Sequence, residues 1–207
     1  MDAIFPRPRL TFIVLEGFSG TGKTTLAKTL ERRGWMRLAE SAHAVSSEIP
    51  VAERADTFSD YSLMGATMQY ASIIARSRRE RDIVAEGYFL SDLAYALIRY
   101  DLRKSAAFPH LLEMVRKILG ERVLRPDLYL LLRAHSTTIR RRQEEKNERE
   151  KNVSKFFRER YYSSIEYIHG ELGQRNLEIV NTDSDPDRTL ARIMVKLKSH
   201  GFGTSSS

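Results

Sequence analysis

The 207-residue sequence contains no cysteine, which excludes disulfides, thiolate metal sites and cysteine nucleophiles and suits a reducing compartment. Long apolar runs are missing too. The most apolar stretch, Thr11-Phe-Ile-Val-Leu15, falls far short of the roughly 20 residues a membrane-spanning helix needs. No basic leader with an apolar segment and a small-residue cleavage site opens the chain, so a cytoplasmic location and no membrane partner are expected. The five histidines form no pair at metal-ligand spacing and read as surface or structural groups. Repeats, linkers and low-complexity segments are likewise absent from the sequence. One domain over 1–200 is therefore expected, followed by a disordered tail at 201–207.

Hydrophobic residues at 42% and charged residues at 29% fit a globular chain. A net charge of +7 favours anionic partners, nucleotides and nucleic acid among them. Thr11 to Glu16 reads as a fully buried strand running into a glycine turn. Leu26, Ala27 and Leu30 then recur at helical spacing, and Gly34 ends that helix. Further strands are predicted at 35–38, 82–86, 128–132 and 177–180. Helices are predicted at 61–80, 90–100, 110–119 and 156–172, with a last helix capped by Asp185 and opened by Pro186. Strands that alternate with helices imply a mainly parallel sheet covered on both faces.

Gly17-Phe-Ser-Gly-Thr-Gly22-Lys23-Thr24 fits the pattern G-x-x-x-x-G-K-[ST] between the first strand and the first helix. In such a loop glycines let backbone N–H groups approach phosphates, the lysine reaches the β and γ oxygens, and the hydroxyl residue ligates Mg²⁺. Gly17, Ser19, Gly20, Thr21, Gly22, Lys23, Thr24 and Thr25 are accordingly expected to hold ATP, with Thr24 and Glu86 at the metal. The expected fold is a three-layer P-loop NTPase-type α/β fold with a five-stranded sheet.

The residues 16–25 resemble the corresponding loop of thymidylate and deoxynucleoside kinases, where an acidic residue precedes the first glycine. Glu86-Gly-Tyr-Phe-Leu-Ser-Asp-Leu-Ala-Tyr95 is similar to a second segment of both. Arg125-Pro-Asp is similar to the start of their fourth strand. The resemblance covers roughly 10–195 and implies a kinase that moves the γ-phosphoryl group of ATP to a nucleoside or nucleotide, with a helical lid near 136–155. It implies Glu40 as the group that activates a 5′-hydroxyl, and Gln69 and Arg76 as contacts to the acceptor. Ser19, Gly87 and Ala96 depart from thymidylate kinases, which carry aspartate, arginine and glutamine there, and the missing arginine at Gly87 breaks the deoxynucleoside kinase pattern as well, so the acceptor side has diverged.

Lys23, Glu40, Glu86 and Arg142 are the expected catalytic groups. Arg142, Lys146 and Arg149 are the lid candidates for a transition-state cation, although the alternating charges around them also suit a solvated helix face. Tyr88 is a candidate for stacking on a base and equally a core aromatic. Arg76, with Arg78, Arg79 and Arg81, reads also as an exposed basic face. Two other functions stay open: phosphorylation of a base or end within a DNA or RNA strand, and nucleotide binding without catalysis. The oligomeric state is open as well, a homodimer included.

Overall fold

The computed structural model describes residues 10–144 and 155–202. Five strands form one sheet in the order β2-β3-β1-β4-β5, with β1 at Phe12–Glu16, β2 at Met36–Leu38, β3 at Ile83–Glu86, β4 at Leu128–Arg133 and β5 at Leu177–Asn181. All neighbouring pairs are parallel. Alternation along β1 explains the layers: Phe12 and Val14 face one side, Ile13 and Leu15 the other, and all four are completely buried. A strand buried on both faces has to be apolar throughout, and each such side chain contributes about 1.5–3 kcal/mol.

The helices are α1 (Lys23–Glu31), α2 (Thr57–Ser77), α3 (Phe89–Asp101), α4 (Phe108–Ile118), α5 (Ser136–Glu144), α6 (Lys155–Glu171) and α7 (Pro186–Ser199). Leu26, Ala27 and Leu30 of α1 pack with Leu190, Ile193 and Leu197 of α7 on the Ile13 side. The Phe12 side is covered by α2, α3, α4 and α6 through residues such as Ile74, Leu93, Leu111 and Ile165. This is the three-layer α/β arrangement expected from the sequence.

The two ends of the long helix differ most from expectation. The long helix begins at Thr57, not 61, because the Asp56 side chain accepts a hydrogen bond from Ser59 N at 2.9 Å and caps it. Its end comes at Ser77, where Arg78 turns away to form two 2.8 Å bonds with Asp127. Phe202, expected in the tail, packs against the α1–α7 layer. Residues 203–207, and the part of the lid from 145 to 154 with Lys146 and Arg149, lie outside the described residues.

Candidate active site

Strand β1 delivers the loop. Gly17, Gly20 and Gly22 have φ of +151°, +86° and +95°, a region that side chains rarely tolerate. A Cβ on Gly17 would meet Thr21 Oγ1 at 2.7 Å and the Leu132 carbonyl at 2.8 Å, so the loop fits against β4 only with glycine there. Thr21 Oγ1 donates to the Phe18 carbonyl at 2.8 Å and closes the turn. Gly22 caps α1 without any side-chain acceptor, which leaves the first N–H groups of the helix open to an anion. Lys23, 7% exposed, donates to the Gly17 carbonyl at 2.5 Å and lies 3.9 Å from Glu40 Oε2.

Thr24 and Glu86 come together from α1 and the end of β3: Thr24 Oγ1 donates to Glu86 Oε2 at 2.5 Å. The other oxygen, Oε1, accepts from Arg37 Nε at 2.6 Å. Arg37 projects from β2, where it pairs with Val84 of β3. Among the described residues no group of three or more His, Asp or Glu stands together to hold a metal ion. Thr24 and Glu86 fit a Mg²⁺ ion that takes its other ligands from phosphate and water, as hard oxygen donors do.

Beside this pair, Glu40, Ser41, Ala42, Val51, Leu63, Gly87, Tyr88, Ser91, Asp92 and Tyr95 line a narrow cavity of about 40 Å³. Behind it stands Glu16, fully buried. Its carboxyl accepts from Tyr88 N at 3.2 Å and from the Ser91 hydroxyl, which also meets Tyr161 OH at 2.8 Å. Burial pushes the Glu16 carboxyl up to about 8; Ser91 and the Lys23 charge oppose the shift, and Asp92 and Glu40 add to it. Burial also lifts Asp92 to about 7, against a 2.5 Å bond from Thr67 Oγ1. Arg99, buried beneath, pairs with Asp60.

A second cavity, of about 300 Å³, flanks the loop on its other side between Gly20, Thr25, Leu26, Arg142, Thr182 and Pro186. Arg142 Nη2 donates to the Thr182 carbonyl at 2.8 Å, and Nη1 approaches the Gly20 carbonyl at 3.4 Å. Arg142, an expected catalytic cation, thus stands at the phosphate loop itself, its Nη1 3.8 Å from where a Cβ on Gly22 would lie. Ile139, the buried residue of α5, fixes the helix so that the guanidinium sits on carbonyls at the loop's flank.

Gln69 and Arg76 stand apart from the other candidates. The inward stripe of α2 is Leu63, Met64, Thr67, Ala71 and Ile74, so Gln69 and Arg76 fall on the exposed face and do not line the narrow cavity. Tyr88 lines the cavity, yet its ring is 2% exposed and packs on Phe12 and Phe89, a core aromatic rather than an open stacking platform. Ser19 lends its carbonyl to Gln143 Nε2 at 3.2 Å, and Thr25 lines the larger cavity. Glu16, Arg37 and Asp92 had no role in the sequence reading. A lone carboxylate ending an apolar strand was the available signal for Glu16; Arg37 had none, since its partner is 49 residues away.

No family model and no curated protein matches the chain. Solved structures do. A thymidylate kinase from Candida albicans superposes with a TM-score of 0.72 at 15% identity, covering 93% of each chain. A deoxyadenosine kinase from M. mycoides is similar with bound dATP (TM-score 0.69, 16% identity) and with bound dCTP (0.64, 19%). In both cases the match covers 91% of this chain and 99% of that one. The chain therefore has the P-loop fold shared by these thymidylate and deoxyadenosine kinases.

Proposed function

We propose that the protein is an ATP-dependent kinase that transfers the γ-phosphoryl group to a nucleoside or nucleotide. The observation that carries this reading is the convergence of Lys23, Thr24, Glu86 and Glu40 around one open helix N-terminus at the carboxyl ends of β1 and β3. The loop N–H groups and the Lys23 ammonium bind the β- and γ-phosphates. Thr24 and Glu86 hold Mg²⁺, which when bound neutralises charge across those phosphates. Arg37 fixes Glu86 before any ligand arrives. The larger cavity takes the base and ribose, with Leu26 and Pro186 as apolar walls and Arg142 as a planar cation at its side. Binding of dATP and of dCTP by the similar M. mycoides kinase supports a nucleoside triphosphate as a ligand of this fold.

A second reading, an acceptor within a nucleic-acid strand, draws on the net charge of +7. The exposed arginines Arg79 and Arg81, however, precede β3 at Ile83, while the site lies beyond its far end at Glu86. That separation, one strand length of roughly 13 Å, favours a small acceptor. Transfer from γ-labelled ATP to a panel of nucleosides, monophosphates and oligonucleotides, with Lys23→Ala as the blank, tests the reading. ATP binding without transfer to any acceptor would support a non-catalytic nucleotide-binding protein instead.

A further inference from the structure

Arg78 and Arg79, just past α2, lie at the end of the sheet opposite the phosphate loop. We propose that this end carries a binding site for a single-stranded nucleic acid, separate from the active site and independent of the kinase reading.

Two cavities of about 530 and 480 Å³ adjoin there, at the entry ends of β1 and β4, and share Arg78 and Gly120 in their walls. Arg79 and Arg122 line the first, Arg125 the second. Arg78 is the fixed member. Its Nη2 donates to both oxygens of Asp127, whose carboxyl also accepts from Phe12 N at 2.8 Å. That anchor leaves Arg78 Nε and Nη1 without an acceptor among the described residues. Gly120 has φ +94°, and a Cβ on it would stand 2.9 Å from Arg125 Nε. Glycine in this turn therefore lets the Arg125 guanidinium lie on the backbone at the shared wall.

Cations past the ends of α2 and α4 have a simpler explanation, attraction to the last helix carbonyls. Arg76 behaves in that way, donating to the Ser72 carbonyl at 3.3 Å. Arg79, Arg122 and Arg125 do not: all three are exposed, and among the described residues they donate to no carbonyl and pair with no carboxylate. Against the four arginines the two linings hold two carboxyl groups, Glu121 and Asp127, and Asp127 is already bonded to Arg78. Open arginines on both sides of Arg78 suit a ligand with phosphates in series rather than one phosphate.

The second cavity adds a feature that phosphate alone does not call for. His200 and Phe202, beyond α7, line it with rings 6.1 Å apart and 14° from parallel. Flat aromatic side chains beside a cationic groove form a platform on which unpaired bases stack. A duplex keeps its bases inside, so the single strand is the partner that fits.

Fluorescence anisotropy of a labelled oligothymidylate of about 12 nucleotides, titrated with the full chain in a salt series, tests the site. The expected Kd at low salt is on the order of 10 μM or tighter, with a logarithmic salt slope of about −2 to −3 from three or four phosphates. Combining Arg79→Ala, Arg122→Ala and Arg125→Ala should weaken binding at least tenfold and flatten the slope by about 2, with ATP affinity and urea midpoint near wild type. Phe202→Ala should weaken binding at least fivefold at unchanged slope. Saturating Mg·ATP should not displace the oligonucleotide. Absence of binding, equal binding by the triple variant, or displacement by Mg·ATP overturns the proposal. Displacement by thymidine monophosphate at comparable concentration would make this a free-nucleotide site. Equally tight binding of polyaspartate or of anionic phospholipid vesicles would make it a general polyanion surface, and either result overturns the proposal too.

Discussion

Glu16 ends an apolar strand, yet its buried carboxyl holds a proton up to about pH 8, against an ordinary value of 4.5. Between those values the folded state binds more protons than the unfolded state, so this residue makes stability fall as pH rises through the window. The ceiling on its share is roughly 4–5 kcal/mol. Glu16→Gln, which imitates the protonated group, should flatten the decline in urea midpoint between pH 5 and pH 8; a slope equal to wild type would show that Glu16 ionises freely. Arg37 acts at the same scale on another carboxylate. Removing it leaves Glu86, buried at 2% exposure, without the partner that aims its Oε2 at Thr24. Arg37→Ala should therefore raise the Mg²⁺ concentration needed for tight ATP binding about tenfold, with partial recovery in Arg37→Lys. Calorimetry in a Mg²⁺ series checks this; an unchanged or lower requirement would remove Arg37 from the site.

Elements differ in how much of them the sequence revealed. The strand–loop–helix from Phe12 to Glu31 was legible because each part is local: an apolar run, glycines at spaced positions, then helical periodicity. Helix α2 was legible as a helix but not as a surface. Small and polar residues occur on both of its sides, and the seven-residue spacing of Gln69 and Arg76 sets a common face without saying which face is inward. Tertiary pairing decided it, through Thr67 with Asp92 and Asp60 with Arg99. The same holds for α5, where Ile139 alone orients a run of arginines. The Asp60–Arg99 pair also pins α2 to α3 in the interior. Arg99→Met would leave a buried carboxylate uncompensated, and a loss of about 3–5 kcal/mol in unfolding free energy is expected. A loss under about 1 kcal/mol in denaturant titration would mean that Asp60 finds another partner or takes up a proton.

At the scale of the whole molecule, the sheet, on the proposed reading, assembles a donor side and an acceptor side from segments far apart in sequence. The donor side is intact in sequence and geometry, from Gly17 to Thr24 with Glu86. The acceptor side is built from Glu40, Gly87, Ser91 and Asp92 around a far smaller space, about 40 Å³ against 300 Å³. On the proposed reading the loop acts first, because every later step depends on a γ-phosphate held beside Lys23. The most direct test is transfer of labelled γ-phosphate from ATP to a nucleoside panel by wild type and Lys23→Ala. Mg²⁺-dependent transfer to at least one nucleoside, reduced 100-fold or more in Lys23→Ala, is the expected result. Wild-type protein that binds Mg·ATP yet labels no acceptor, or equal transfer by the two proteins, would contradict the account.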